Sequence, residues 1–207
     1  MYKHFIKRLL DVLVSLILIL VLLPILLIIA VLIWVTMKEN PFFTQERPGK
    51  DEIPFKLFKF RTMKTTFDLA GNLLPDEQRI TKLGAVMRKY SLDELPELLN
   101  VLVGEMSFVG PRPLLMQYLP YYSTSERVRH SVRPGITGLA QVSGRNFLDW
   151  DKRLSMDVEY VKNISFIIDA KIIGKTILYV LVAKDVAVNP DEHETYLDEI
   201  RSGKTNR

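Results

Sequence analysis

The chain has 207 residues, a formal charge of +4 and no cysteine, which excludes disulfide frameworks and thiolate catalysis and fits a reducing compartment. That length suits one domain with an appendage. The net charge is modest, so the clustering of cations matters more than their sum. The clusters suit phosphate or anionic lipid, and with no nucleic-acid motif in the chain no nucleic acid is expected as a partner.

No residue from Val12 to Val35 is charged. As one helix this stretch would measure about 36 Å, enough for a hydrocarbon core of about 30 Å, and its apolar gain outweighs the penalty for Asp11. A cleaved signal peptide does not fit, because the apolar run is too long and no small-residue cleavage site follows it. Pro24 divides the run into two limbs of about 18 Å, each too short to cross alone. Lys3, Lys7 and Arg8 precede it, while Lys38, Arg47, Lys50, Lys56, Lys59, Arg61 and Lys64 follow it. Positive residues stay on the cytoplasmic face, so a straight span would strand one cluster. Residues 1–37 are therefore expected to form a re-entrant membrane helix broken at Pro24, rather than a proline-kinked spanning helix.

Pro41, Pro48, Gly49 and Pro54 punctuate the next segment, in which Phe55 to Arg61 alternates apolar and basic residues. Period two predicts a short strand with one aromatic and one cationic face, suited to a headgroup layer, an anionic ligand or a protected sheet edge. Thr65 to Pro75 reads as a surface loop.

Ile80 to Pro113 gathers the most varied chemistry. Ser91-Leu92-Asp93-Glu94-Leu95-Pro96 precedes the apolar run Leu95, Leu98, Leu99, Val101 and Leu102, which marks a helix start. Serine followed by glutamate three residues later is a capping box, but a start at Asp93 places Pro96 in the first turn, where its missing N–H is harmless. In either register Asp93 and Glu94 meet the positive end of a helix, which favours their ionised form. Arg79, Lys82, Arg88 and Lys89 lie upstream, and Gly110-Pro111-Arg112-Pro113 fixes the backbone around one arginine. Carboxylates suited to a divalent cation and arginines suited to phosphate point to phosphoryl transfer with Mg²⁺. A capped helix with solvated charges and a proline turn is the alternative.

Arg127, Arg129, His130 and Arg133 follow on what reads as a basic surface, and His4, His130 and His193 are too scattered for a zinc site. Arg133 to Asn146 carries Gly135, Gly138 and Gly144 between arginines. It reads either as a phosphate- or nucleotide-binding loop or as a structural turn. Trp150 to Lys162 has Leu154, Val158 and Val161 at helical spacing, with Asp157 near Arg153. Ile164 to Val182 is apolar but interrupted by Asp169, Lys171 and Lys175, too many charges for a span, and is expected to lie in the interface or on the domain. Acids collect from Asp185 onward, giving an expected mobile tail over 185–207.

Phe58-Lys59-Phe60-Arg61-Thr62-Met63, the acidic motif at Ser91–Pro96, Met106-Ser107-Phe108-Val109-Gly110-Pro111-Arg112-Pro113 and Arg133-Pro134-Gly135-Ile136-Thr137-Gly138 occur in series. Together they resemble the bacterial sugar transferase family, the monotopic phosphoglycosyl transferases, in its small form. The resemblance implies transfer of a sugar phosphate from a UDP-sugar to a polyprenol phosphate, usually undecaprenyl phosphate, with release of UMP, at the cytoplasmic face of the bacterial inner membrane. It implies Asp93 as nucleophile, Glu94 with Asp93 holding Mg²⁺, and Lys59, Arg88, Arg112, Arg145 and Asp157 as substrate- or phosphate-binding groups. The family commonly has serine where Leu23 precedes Pro24, and tryptophan and asparagine where Leu139 and Ser143 stand. The expected fold is mostly α with a small β element: the re-entrant helix, interfacial amphipathic helices and a compact cytoplasmic catalytic domain over 38–184. Apolar surface near the membrane also permits a homodimer.

Overall fold

The computed structural model describes residues 2–144, 148–182 and 196–203. Seven α-helices and four short strands are defined among them, so the expected mostly helical fold with a small β element is observed. A π-helical turn, Tyr2–Ile6, leads into α1, Lys7–Met37, an unbroken apolar helix with Pro24 inside it. It is the one described helix long and apolar enough to cross a membrane. Asp11, Ser15, Ile29, Ile33 and Met37 are its buried residues, and most of the remaining large side chains are exposed. Both ends of α1 are fastened to the domain. Arg8 donates to the carbonyls of Val101 (2.6 Å) and Leu102 (2.9 Å), and Asp11 accepts from the Phe108 N–H. At the other end Ile29, Ile33 and Met37 form a core with Phe60 and Met87, flanked by Leu92 and Leu95.

β1, Phe42–Pro48, and β2, Pro54–Phe60, form an antiparallel hairpin in which Phe42 faces Phe60 and Pro48 faces Pro54. The expected division of β2 into aromatic and cationic faces does not hold. Phe55 and Leu57 are buried in one core and Phe60 in another. Side chains alternate across a strand, and the sequence slips phase at Leu57-Phe58, so Lys59 shares the inward face of Phe55 and Leu57. Lys59 is thereby carried inside.

After the short helix α2, Asp76–Arg79, helix α3 spans Lys82–Lys89, capped by Thr81, whose hydroxyl accepts from the Gly84 N–H at 2.9 Å. Gly84 is required there, since a Cβ would lie 2.0 Å from the Thr62 carbonyl oxygen. The expected helix start at Asp93 is also corrected. Leu92–Glu94 is a 3₁₀ turn, and α4, Glu97–Val103, begins with Pro96 at its N-cap. Ser91 makes no side-chain cap; it sits at φ 53°, ψ 27°, a left-handed conformation that strains a residue other than glycine. That reversal turns the chain sharply out of α3 and tightens the acidic turn. Asn100 on α4, fully buried, then accepts from the Phe58 N–H and donates to the Lys56 carbonyl and to Glu105. It supplies β2 with the partners a neighbouring strand would otherwise provide.

β3, Ser107–Val109, pairs in parallel with β4, Gly135–Thr137. Between them run two 3₁₀ segments, Met116–Tyr121 and Glu126–Ser131. α5, Trp150–Lys162, and α6, Phe166–Val182, fall on the helices expected from the sequence. Of the expected mobile tail over 185–207 only residues 196–203 are described, the rest lying outside the described residues; there α7, Leu197–Ser202, has Leu197 fully buried beside Tyr118, Tyr122 and Leu154, and Arg201 bonds Glu126 and Asp151. The buried Leu197 and the Arg201 bonds together dock it.

Candidate active site

Lys59 and Arg112 converge on the acidic turn. Lys59 Nζ donates to Glu94 Oε1 at 2.7 Å and lies 3.2 Å from Glu97 Oε1; Arg112 Nη2 donates to the same Glu94 Oε1 at 2.7 Å. Burial opposes charge on Glu94, but Arg112 and Lys59 override it and hold the carboxyl well below the usual carboxylate range. Glu94 is thus an anion whose Oε1 is occupied. Asp93, next to it, is pushed the other way by burial and by the Glu94 charge, although Lys59, Arg88 and Arg112 pull against the shift. A desolvated carboxylate with a like charge beside it is more basic, and a better nucleophile, than one in water. Arg88 approaches from α3, with Nε donating to the Thr62 hydroxyl at 3.1 Å.

The turn that carries Arg112 is fixed by backbone. Gly110 N–H donates to the Thr137 carbonyl (2.9 Å) and Gly135 N–H to the Pro111 carbonyl (3.0 Å). A Cβ on Gly135 would lie 2.1 Å from Gly110 N, and one on Gly138 2.3 Å from Gly110 O. These glycines therefore let two backbone segments close on each other, which favours the structural reading of the glycine-rich run. Arg129 completes the support: Nη2 donates to the Arg112 carbonyl at 2.7 Å and to Asp157 Oδ2 at 2.8 Å, with Nε also reaching Oδ2 at 3.1 Å.

Lys59, Arg88, Asp93, Glu94 and Arg112 are thus brought together. Asp157, 3% exposed, lies behind Arg112 and pairs with Arg129; Arg153, one turn earlier on α5, is near enough to act on its charge, as expected, while its guanidinium covers the Trp150 ring at 4.6 Å. Pro24 sits in α1, away from this cluster, and Arg145 lies outside the described residues. His130 is not on a basic surface but buried, and burial, then Arg129 and Arg127, pull it down to about 3, so it is neutral. Sequence reading missed Arg129, hidden in a basic run, and Glu97. Burial and then Glu94 push Glu97 up to about 7, with Lys59 opposing.

The family model described as bacterial sugar transferase matches residues 2–183. The chain belongs to the bacterial sugar transferase family. It is 49% identical over 181 residues to the uncharacterized sugar transferase EpsL of Bacillus subtilis (strain 168), across 87% of this chain and 90% of that one. It is 37% identical to the exopolysaccharide production protein ExoY of Rhizobium meliloti (strain 1021), over 86% of each chain. A UDP-glucose:undecaprenyl-phosphate glucose-1-phosphate transferase of Klebsiella pneumoniae is 39% identical over 83% of this chain, which corresponds to 39% of that longer protein. As a bacterial sugar transferase, the chain places the whole described cluster inside the matched region, whereas α7 lies beyond it.

Proposed function

We propose that this chain transfers a sugar phosphate from a UDP-sugar to a polyprenol phosphate, undecaprenyl phosphate being the usual one, and releases UMP in the first membrane step of glycoconjugate assembly. The observation that carries the reading is the bridge from Lys59 and Arg112 to one oxygen of Glu94, with Asp93 adjacent and Arg88 near it. The relative from Klebsiella pneumoniae is named for that reaction with glucose 1-phosphate, and one from Aeromonas hydrophila for the N-acetylgalactosamine counterpart.

In the proposed path an Asp93 carboxylate oxygen attacks the sugar-bearing phosphorus, and the P–O bond to UMP breaks with its electron pair leaving on UMP. The resulting aspartyl phosphosugar is then attacked by a phosphate oxygen of the polyprenol phosphate, which restores the Asp93 carboxylate. Splitting one displacement into two lowers each barrier. Arg88 and Arg112 neutralise phosphate charge, and Lys59 keeps Glu94 ionised and in place.

The donor set suits Mg²⁺, which takes one or two carboxylates and completes its shell with substrate oxygens and water. Glu94 Oε2 and the Asp93 carboxylate have no hydrogen-bond partner among the described residues, while no cage of three or more acidic, His or Cys groups occurs among them. Bound there, Mg²⁺ would neutralise charge developing on the leaving phosphate. Purified protein with Mg²⁺, undecaprenyl phosphate and a panel of UDP-sugars is expected to release UMP. Release of inorganic phosphate instead, or no turnover of any sugar, would refute the reading. Glu94→Gln is expected to raise the Mg²⁺ concentration needed for half-maximal rate by at least about ten-fold; an unchanged Mg²⁺ titration counts against its metal role.

The same reading makes α1 re-entrant from the cytoplasmic face. Its support is that Arg8 reaches Leu102 while Ile33 shares a core with Leu92 and Leu95. From residue 8 to residue 33 a straight helix extends about 37 Å, whereas Leu92 to Leu102 is a helical run of about 15–18 Å. A bend at Pro24 reconciles the two. The exposed Phe166, Ile167, Ile177, Leu178, Leu181 and Val182 support α6 as an interfacial helix. Single cysteines introduced at Met1 and Lys38 are expected to react with an impermeant thiol reagent from the cytoplasmic side alone; labelling of one from each side would mean a spanning helix.

A further inference from the structure

We infer that Arg201, on α7, is a positioning residue for Arg112: it ties together the two elements that carry the Arg129–Asp157 pair, and that pair holds the arginine turn. α7 lies beyond residues 2–183, which the family model matches, and the transferase reading gives it no part. Arg201 Nη1 and Nη2 donate to the two carboxylate oxygens of Glu126, each at 2.7 Å. Nη1 also donates to the Tyr121 carbonyl and Nη2 to Asp151 Oδ1, both at 2.7 Å. Glu126 Oε2 accepts in addition from the Ser123 N–H at 2.7 Å. A planar guanidinium meeting both oxygens of one carboxylate fixes direction as well as distance. Glu126 opens the 3₁₀ segment that carries Arg129, and Asp151 lies in the first turn of α5, which carries Asp157. One side chain thus spans both supports of the buried pair. Asp151 is exposed, so the Glu126 fork is the firmer of the two links.

A second route from α7 to Arg129 runs through packing. Leu197 is fully buried against Tyr118, Tyr122 and Leu154, and the Arg129 guanidinium lies over the Tyr122 ring at 5.5 Å. The ring that Leu197 packs is therefore the ring on which Arg129 rests. Gln117 Nε2 adds a bond to Asp198 Oδ2 at 3.1 Å, between the other 3₁₀ segment and α7. From Arg129 the path is one step long, since its Nη2 donates to the Arg112 carbonyl at 2.7 Å.

Magnitudes separate placement from stability. The Arg201–Glu126 pair is partly exposed, and such a pair adds little to the folding free energy. Misplacing a group that acts on the reacting phosphate by about 1 Å lowers the rate by up to about a hundred-fold. Loss of Arg201 is therefore expected to spare folding and to reduce turnover.

Hydrogen exchange and steady-state kinetics, measured on the full chain in nanodiscs, test the assignment. In Arg201→Gln the amides of Ser107–Arg112 are expected to exchange faster, those of β1 and β2 to be unchanged, and the thermal midpoint to stay near the native one. Well below that midpoint, where loss of folded protein cannot account for it, kcat/KM for the UDP-sugar is expected to fall by at least about ten-fold. Arg201→Lys keeps the charge without the fork and is expected to lose less. In a chain carrying Asp157→Leu and Arg129→Met, which lacks the side chain through which α7 acts, Arg201→Gln is expected to lower kcat/KM no further. Unchanged exchange at the arginine turn in Arg201→Gln overturns the inference, and so does a kinetic loss that persists undiminished without Arg129. The kinetic arm rests on the transferase reading: a native chain that releases no UMP overturns that reading, and hydrogen exchange still decides the role of Arg201.

Discussion

Asp93→Asn is expected to lower UMP release by about three orders of magnitude or more, the scale seen when a covalent nucleophile is removed. The amide has nearly the same shape and keeps hydrogen-bonding capacity, but it has no anionic oxygen to form the acyl phosphate bond. Folding is not at risk. Asp93 is half-buried, makes no salt bridge among the described residues, and is disfavoured as an anion by burial and by Glu94. Removing its charge relieves that repulsion, so the thermal midpoint of Asp93→Asn is expected to equal or exceed that of the native chain. Brief incubation with UDP-sugar labelled in the sugar, followed by acid quench and electrophoresis, should show label on the native protein and none on the variant. Full activity in Asp93→Asn, or label retained by it, would remove the covalent path.

The acidic turn and the arginine turn were legible in sequence because each is a local pattern: paired carboxylates before an apolar run, and an arginine clamped between prolines. α1, α5 and α6 were legible for a similar reason, since apolar continuity or helical spacing over more than ten residues outweighs local exceptions. What escaped reading depends on contacts distant in the chain. Lys59 is assigned to the site by the resemblance alone, since the one-residue slip in alternation at Leu57-Phe58 that carries it inward is present in the sequence but read there as unbroken alternation. The helix start moved because Ser91 adopts a left-handed conformation, which a capping box does not foresee. Leu197 docks α7 through a single buried contact set too short to register as periodicity. Arg129 and Asp157 are 28 positions apart in the chain, and no local pattern pairs them: Arg129 reads as one of a basic run and Asp157 as a neighbour of Arg153.

That last pair carries the second large effect. Arg129 is 2% exposed and Asp157 3%, so removing one partner leaves an uncompensated charge in the interior, at about 3–5 kcal/mol. Asp157→Leu is therefore expected to lower unfolding stability by that amount in denaturant titration, and at ordinary growth temperature much of the protein would be unfolded or degraded. The double variant Asp157→Leu with Arg129→Met replaces the pair by apolar groups of comparable volume and is expected to regain most of the lost stability, since buried ion pairs add little net free energy over a packed apolar substitute. Activity is expected to stay low in the double variant. Arg129 also donates to the Arg112 carbonyl at 2.7 Å, and without it the turn is free to shift the guanidinium that meets Glu94 and that the proposed reaction aims at the substrate phosphate. Stability and turnover should therefore separate in this one protein, the first restored and the second lost. If the double variant regains turnover along with stability, Arg129 serves only to neutralise Asp157, and Arg112 is placed by Gly110, Gly135 and its two prolines alone.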